Sequence, residues 1–226
     1  MRDSMSRSAA ESDLARLDAP AFHRNVGPIL DVIAPRLAGR SGHALEIASG
    51  TGQHAVELAR RLPTLVWWPS DAAPRHVASI DAWRAQTELP NLRPARLLDV
   101  CATSWPLGGG KAAPPSELAA LVCINMLHIA PWEAAQGLLR LAAAALAPEG
   151  ILYLYGPYRR GGQHTAPSNE AFDRTLRTQD ARYGVRDVEA VAQLAGERGF
   201  ALEALVPMPA NNCSLVFRSG ATARAD

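Results

Sequence analysis

Residues 45–59, LEIASGTGQHAVELA, set an apolar run, a glycine pair and an amphipathic tail side by side. The pattern reads as strand, tight turn and helix: Leu45 and Ile47 are strand-like, Gly50 and Gly52 free the backbone, and helical spacing begins near Gln53. Such a turn brings a ligand to the amino end of the following helix, where backbone N–H groups are unpaired. Two ligands suit it: a dinucleotide, through its pyrophosphate, or S-adenosylmethionine (SAM), through its amino-acid end and ribose. GTGQHA, residues 50–55, also fits the G-x-G-x-x-A dinucleotide pattern, so the glycines alone leave both open.

Outward from this stretch, short apolar runs alternate with helical patterns, which predicts an α/β sheet. A helix over VGPILDVIAPRLAG precedes the first strand, HALEIA; the helix QHAVELARRL follows it. TLVWW, ending at PSD, is a second strand, and HVASIDAWRAQ its helix. RPARLLDV and LAALVCIN are the third and fourth strands, separated by the loop PLGGGKAAPPSE, expected to be flexible. A helix from Pro131 to a stop at Pro148 and Gly150 leads to a fifth strand, ILYLYGP, and a polar, glycine-rich stretch over 156–168. Helices capped by Ser168 and Asp187 come next. FALEALVPM and CSLVFRS, joined by PANN, close the chain as adjacent strands. The expected fold is a doubly wound, mostly parallel, seven-stranded Rossmann-like sheet ending in an antiparallel hairpin, as in class I methyltransferases. A symmetrical dinucleotide fold would end on a parallel strand.

The 226 residues suffice for one domain, expected over 20–219, with a disordered or loosely docked segment at 1–19 and a tail at 220–226. Net charge is +1 and the cations are scattered arginines, Lys111 being the only lysine. No field therefore draws the chain to nucleic acid or to a membrane surface, and no apolar run reaches bilayer length. Cys101, Cys123 and Cys213 have no metal-site or disulfide spacing, so no metal is expected, and they fit a cytoplasmic, reducing setting.

Acidic residues around the glycines separate the two ligands. Glu46 precedes Gly50 by four residues; it would repel a pyrophosphate but suits the ammonium of SAM, directly or through the loop and water. Asp71, at the end of the second strand, can accept both ribose hydroxyls and serves either ligand. Asp99 and Val100, ending the third strand, suit the exocyclic amine and the face of an adenine. Asn125 and Met126 leave the fourth strand at the edge where ligands bind in open α/β sheets. With the loop residues Ala48, Ser49, Thr51, Gly52 and His54, and with Ala72 beside Asp71, they make a SAM site, S-adenosylhomocysteine being the product.

The set EIASGTGQHA, PSD, NMLHIAPW, YGPY, SNEAFD, YGVRDVE and MPANN resembles the family called methyltransferase-like twenty-six, from about FHRN to the last strand. The resemblance implies a class I SAM-dependent methyltransferase and supplies no substrate. Tyr183 stands where tryptophan is frequent in that family, and the loop around Lys111 is a local extension.

Methyl transfer mainly requires alignment of acceptor, methyl carbon and sulfur, with a base only where the acceptor must lose a proton. His128 is the candidate base or acceptor anchor, and Tyr158 a candidate catalytic contact; a structural histidine is the competing explanation. Arg24, Asn25, Tyr155, Asn169, Asn211 and Asn212 could form a pocket of guanidinium and amide donors for a small polar acceptor, although turn chemistry also accounts for the asparagines. Nucleic acid is disfavoured by the absence of a basic stripe and of N-P-P-[YF] after the fourth strand. An NAD(P)-dependent oxidoreductase and a non-catalytic adaptor are the rival functions.

Overall fold

The computed structural model describes residues 16–105, 107–108 and 114–220. Residues 1–15 of the expected loose N-terminal segment, 221–226 of the tail and half of the loop around Lys111 lie outside the described residues. Residues 17–19 are tied to the domain: Leu17 N–H donates to Ser79 Oγ and Ala19 N–H to Gln53 Oε1, both at 2.9 Å.

The chain runs α1 (Pro20–Leu37), β1 (Gly42–Ile47), α2 (Gln53–Arg61), β2 (Leu65–Asp71), α3 (Pro74–Ala85), β3 (Arg96–Leu97) and β4 (Leu118–Ile124). It continues through α4 (Trp132–Ala145), β5 (Leu146–Arg160), β6 (Gln163–His164), α5 (Pro167–Gln179), β7 (Arg186–Asp187), α6 (Val188–Gly196), β8 (Phe200–Met208) and β9 (Asn212–Ser219). The sheet order is β3-β2-β1-β4-β5-β9-β8, with the short β6 and β7 attached to the end of β5. β9 is antiparallel to both β5 and β8, while the pairs from β3 to β5 are parallel. The mostly parallel seven-stranded path with a terminal antiparallel hairpin is the expected one.

Strands β1, β2 and β4 are buried on both faces, which is why they read as continuous apolar runs rather than alternating ones. One face carries Leu45, Ile47, Leu121, Leu154 and Phe217 against α4 and α6. The other carries Ala44, Trp67, Val122, Tyr153 and Val216 against α1 and α2. Strand order reverses between β1 and β4, so the carboxyl edge opens there into the crevice used by ligands in such sheets.

Several local expectations are corrected. β3 is only a two-residue pairing with Ser70 and Asp71: Pro94 brings no donor, and the Ala95 N–H is taken by Asp81 Oδ1 at 3.0 Å. α4 stops at Ala145 rather than at Pro148: Leu146 turns extended to pair with Leu118, and Pro148 disfavours helix at Ala147. β5 does not end at Pro157 but runs to Arg160, its last residues pairing with β6 and β7. Ser168 does not cap α5; Ala166 holds that position and Pro167 takes the first turn. Asp187 does cap α6, accepting from Glu189 N–H at 3.1 Å.

Candidate functional site

The glycine turn uses its two glycines differently. Gly52 has φ +94° and a Cβ there would meet Ile80 Cα at 2.7 Å, so it allows α3 to approach α2 closely. Gly50 has φ +58° with nothing within 4 Å of a would-be Cβ, so it presents bare backbone to open space. That space is a cavity of about 620 Å³ above the ends of β1, β2 and β4. Among the residues expected to hold the cofactor, Ala48, Gly50, Asp71, Ala72, Asp99, Val100 and Met126 line it.

Asp71 ties the loops of this cavity together. Its Oδ2 accepts from Gly50 N–H at 2.9 Å, while Oδ1 accepts from Ala73 N–H at 2.9 Å and faces His76 Nδ1 at 3.0 Å. A carboxylate has about four acceptor directions, and three are committed, leaving about one for a hydroxyl rather than the expected two.

Glu46, Ser49, Thr51, Gly52 and His54 do not line the cavity. Glu46 is buried below the glycine turn, its Oε2 accepting from Trp67 Nε1 at 2.8 Å. Burial pushes its carboxyl up to about 7, against the hydrogen bonds from Trp67 and Ser49. His54 sits between α1 and α2, its Nε2 2.8 Å from Asn25 Oδ1, and burial lowers its pKa to about 4.

A second cavity, of about 790 Å³, adjoins the first over β4, β5 and the β8–β9 link. Arg24, Asn25, Asn125, Tyr155, Asn169, Asn211 and Asn212 all line it, brought together from α1, β4, β5, α5 and the hairpin. Asn125 therefore belongs to this cavity and Met126 to the first. Ile129, which sequence reading passed over, lines both.

His128 and Tyr158, the expected catalytic pair, line neither cavity. His128 is fully buried, with Nδ1 accepting from Arg186 N–H at 3.2 Å and its ring edge-to-face with Tyr158 at 4.7 Å. Burial, reinforced by the nearby Arg186 charge, lowers its pKa to about 3, and burial raises that of Tyr158. The imidazole occupies the space that Gly156 leaves by lacking a side chain: a Cβ on Gly156 would lie 2.3 Å from its Nε2. Gly156→Ala is accordingly expected to destabilise the domain by about 2–4 kcal/mol in urea unfolding. The double variant with His128→Ala should recover part of that loss, because the clash disappears with the ring.

Sequence reading also missed Arg186, Tyr183 and His76. Arg186 donates to the carbonyls of Leu127 (2.9 Å) and Ala130 (2.6 Å), fixing the loop that separates the cavities. Tyr183 and His76 line the first cavity. The first was visible only as a departure from a family pattern, and the second only by its position five residues after Asp71.

Buried ionisable groups fix a pH dependence of stability. His54 and His128 are neutral in the folded chain, whereas unfolding lets each take up a proton below its ordinary 6.5. Their stabilisation is complete above that value and is lost as pH falls toward 4 and 3. Glu46 acts oppositely: protonated when folded, it stabilises below its ordinary 4.5, and that contribution is lost as pH rises through about 7. Between pH 6.5 and 4.5 the unfolded chain thus binds a net one proton more from these groups. Stability should fall on acidification across that window, and more steeply in Glu46→Gln, measured by urea unfolding.

Among the described residues no helix is long and apolar enough to cross a membrane. The fold is similar to an O-methyltransferase family protein from Burkholderia thailandensis (TM-score 0.72, 15% identity), covering 89% of this chain and 58% of that one. It is also similar to human N-acetylserotonin methyltransferase in complex with SAM (TM-score 0.71, 15% identity; 88% of this chain, 53% of that chain). A third similar structure is the S-adenosylmethionine-dependent methyltransferase SibL (TM-score 0.65, 20% identity; 88% of this chain, 58% of that one). The chain thus spans less than two thirds of these proteins' lengths, and at such identities the likeness establishes the class I methyltransferase fold. Residues 16–219 match the model described as "Protein of unknown function (DUF938)", and the chain belongs to that family.

Proposed function

We propose that the protein is a SAM-dependent methyltransferase acting on a small polar molecule, in the manner implied by its resemblance to the methyltransferase-like twenty-six family. The observation that carries this reading is the pair of adjoining cavities at the carboxyl edge, meeting at Asn125, Met126 and Ile129. The residues of the first fit SAM: Gly50 offers bare backbone, Asp71 an acceptor for a ribose hydroxyl, and Asp99 an acceptor for an amine beside the apolar surfaces of Val100 and Met126. When bound, SAM supplies a methyl group on a positively charged sulfur. The chain's task is to hold the acceptor against that carbon and keep water out.

The glycine turn and Asp71 would serve a dinucleotide as well, so the preference for SAM rests on Asp99 beside the apolar surfaces of Val100 and Met126. We read the acceptor as a small molecule rather than nucleic acid or lipid, since among the described residues Arg24 is the single cation lining the second cavity. The cysteines are free thiols, in keeping with a cytoplasmic setting. Titration calorimetry tests the reading: S-adenosylhomocysteine should bind and NAD(H) and NADP(H) should not. Binding of a dinucleotide without S-adenosylhomocysteine would assign an oxidoreductase instead.

A further inference from the structure

The second cavity has a polarity that emerges from counting its hydrogen bonds. His54 Nε2 lies 2.8 Å from Asn25 Oδ1, so the imidazole donates and the Asn25 amide N–H groups stay directed away from it, beside Tyr155 in the cavity lining. That arrangement leaves the Tyr155 O–H proton for the cavity it lines. Arg24 makes no ion pair and the Asn125 side chain no hydrogen bond among the described residues, so both retain donors. The distal asparagines are the reverse. The Asn169 amide N–H groups go to Thr165 Oγ1 (3.1 Å) and the Asn211 carbonyl (2.8 Å). Asn211 spends one N–H on Ser168 Oγ (3.2 Å) and keeps the other, while the Asn212 amide nitrogen donates to the carbonyls of Pro209 (3.0 Å) and Ala210 (3.4 Å). The amide donors of Asn169 and Asn212 are thus engaged within the protein, and the side-chain carbonyl oxygens of all three asparagines make no hydrogen bond among the described residues.

Position orders these groups. Asn125 ends β4, next to Met126 in the first cavity; Tyr155 lies one strand further on β5, and Asn212 another strand away on β9. The donors of Asn125 and Tyr155 therefore stand nearer the first cavity and the Asn212 carbonyl farther from it, while Arg24 brings the cavity's positive charge from α1. Among the described residues no carboxylate, lysine or histidine lines the cavity to take a proton from an acceptor.

We propose that the methyl acceptor is the carboxylate of a small molecule whose far end carries an N–H or O–H group. The inference rests on the methyltransferase reading. A carboxylate is ionised at neutral pH, whereas an amine or hydroxyl must shed a proton first. One carboxylate oxygen uses a lone pair to form the O–CH3 bond while the methyl–sulfur bond breaks, its electron pair staying on sulfur. The negative charge on the acceptor and the positive charge on sulfur cancel, no proton moves, and the product is a methyl ester. Arg24, Tyr155 and Asn125 hold and orient the carboxylate. Asn169, Asn211 and Asn212 recognise the opposite end.

The test uses the full chain, methyl-tritiated SAM and the small-molecule fraction of a cell extract. Tritium recovered as volatile methanol after mild alkali is the expected result, because methyl esters hydrolyse and methyl amines, ethers and thioethers do not. Arg24→Gln should lower that yield at least tenfold while calorimetric binding of S-adenosylhomocysteine is unchanged. With S-adenosylhomocysteine present, a pool of small amino-substituted carboxylic acids should raise the melting temperature of the wild type but not of Arg24→Gln, and the matching primary amides should not raise either. Alkali-stable label, an ineffective acid pool or an equally effective amide pool overturns the carboxylate assignment alone. Failure of S-adenosylhomocysteine to bind overturns the methyltransferase reading and the inference with it.

Discussion

Gly137→Ala is expected to destabilise the domain by about 3–5 kcal/mol, although alanine is the better helix former. Gly137 lies inside α4, where a Cβ would stand 2.0 Å from the Val100 carbonyl oxygen and 2.7 Å from its carbon. The obstructing atoms are backbone, so no rotamer relieves the contact; the helix or the 98–101 loop must move. That loop is the wall of the first cavity, together with Ala134 from the same helix. Stability and ligand binding should therefore fail together, readable as a lowered denaturation midpoint and a lost calorimetric signal. Gly196→Ala is the control: it lies in α6 with nothing within 4 Å of a would-be Cβ. It should stabilise by up to about 1 kcal/mol, and a similar sign in both variants would contradict the close approach of α4 to Val100.

Asp71→Ala is expected to weaken S-adenosylhomocysteine binding at least a hundredfold, about 3 kcal/mol, with the fold retained. A ribose contact alone would give less. The carboxylate also accepts from Gly50 N–H and Ala73 N–H, so its removal releases the glycine turn and the start of α3 at once. Asp71→Asn keeps the volume but has one acceptor oxygen, and it should lose one of those tethers and fall between the two. Calorimetry on both variants, with far-ultraviolet circular dichroism as the folding control, measures this. A tenfold or smaller loss in Asp71→Ala would mean that the turn holds its shape without the carboxylate.

Strands β1, β2 and β4 were legible because burial on both faces writes itself as an uninterrupted apolar run. The glycine turn and Asp71 were legible because each is a local pattern at a strand end. The errors lie where long-range packing decides. Nothing in NMLHIAPW shows that Gly156, twenty-eight residues after His128, leaves a socket for the imidazole. The residue expected to face solvent or ligand is instead a core group, and Tyr158 is its edge-to-face partner. The third strand is legible as an element but not in its length: RPARLLDV reads as a full strand, whereas only Arg96 and Leu97 pair and Leu97 is exposed. On the acceptor side, residue types alone suggested amide donors. Only the hydrogen bonds show which of those donors are already spent within the protein.

Ile129 remains 49% exposed while forming part of the wall of both cavities. Two occupants that each cover it draw on the same apolar surface, so their affinities cannot be independent. Half an isoleucine side chain removed from water amounts to about 1 kcal/mol, a factor of about five in a dissociation constant. Thermodynamic linkage makes the exchange reciprocal: whatever the first occupant does to the affinity of the second, the second does to the first by the same factor.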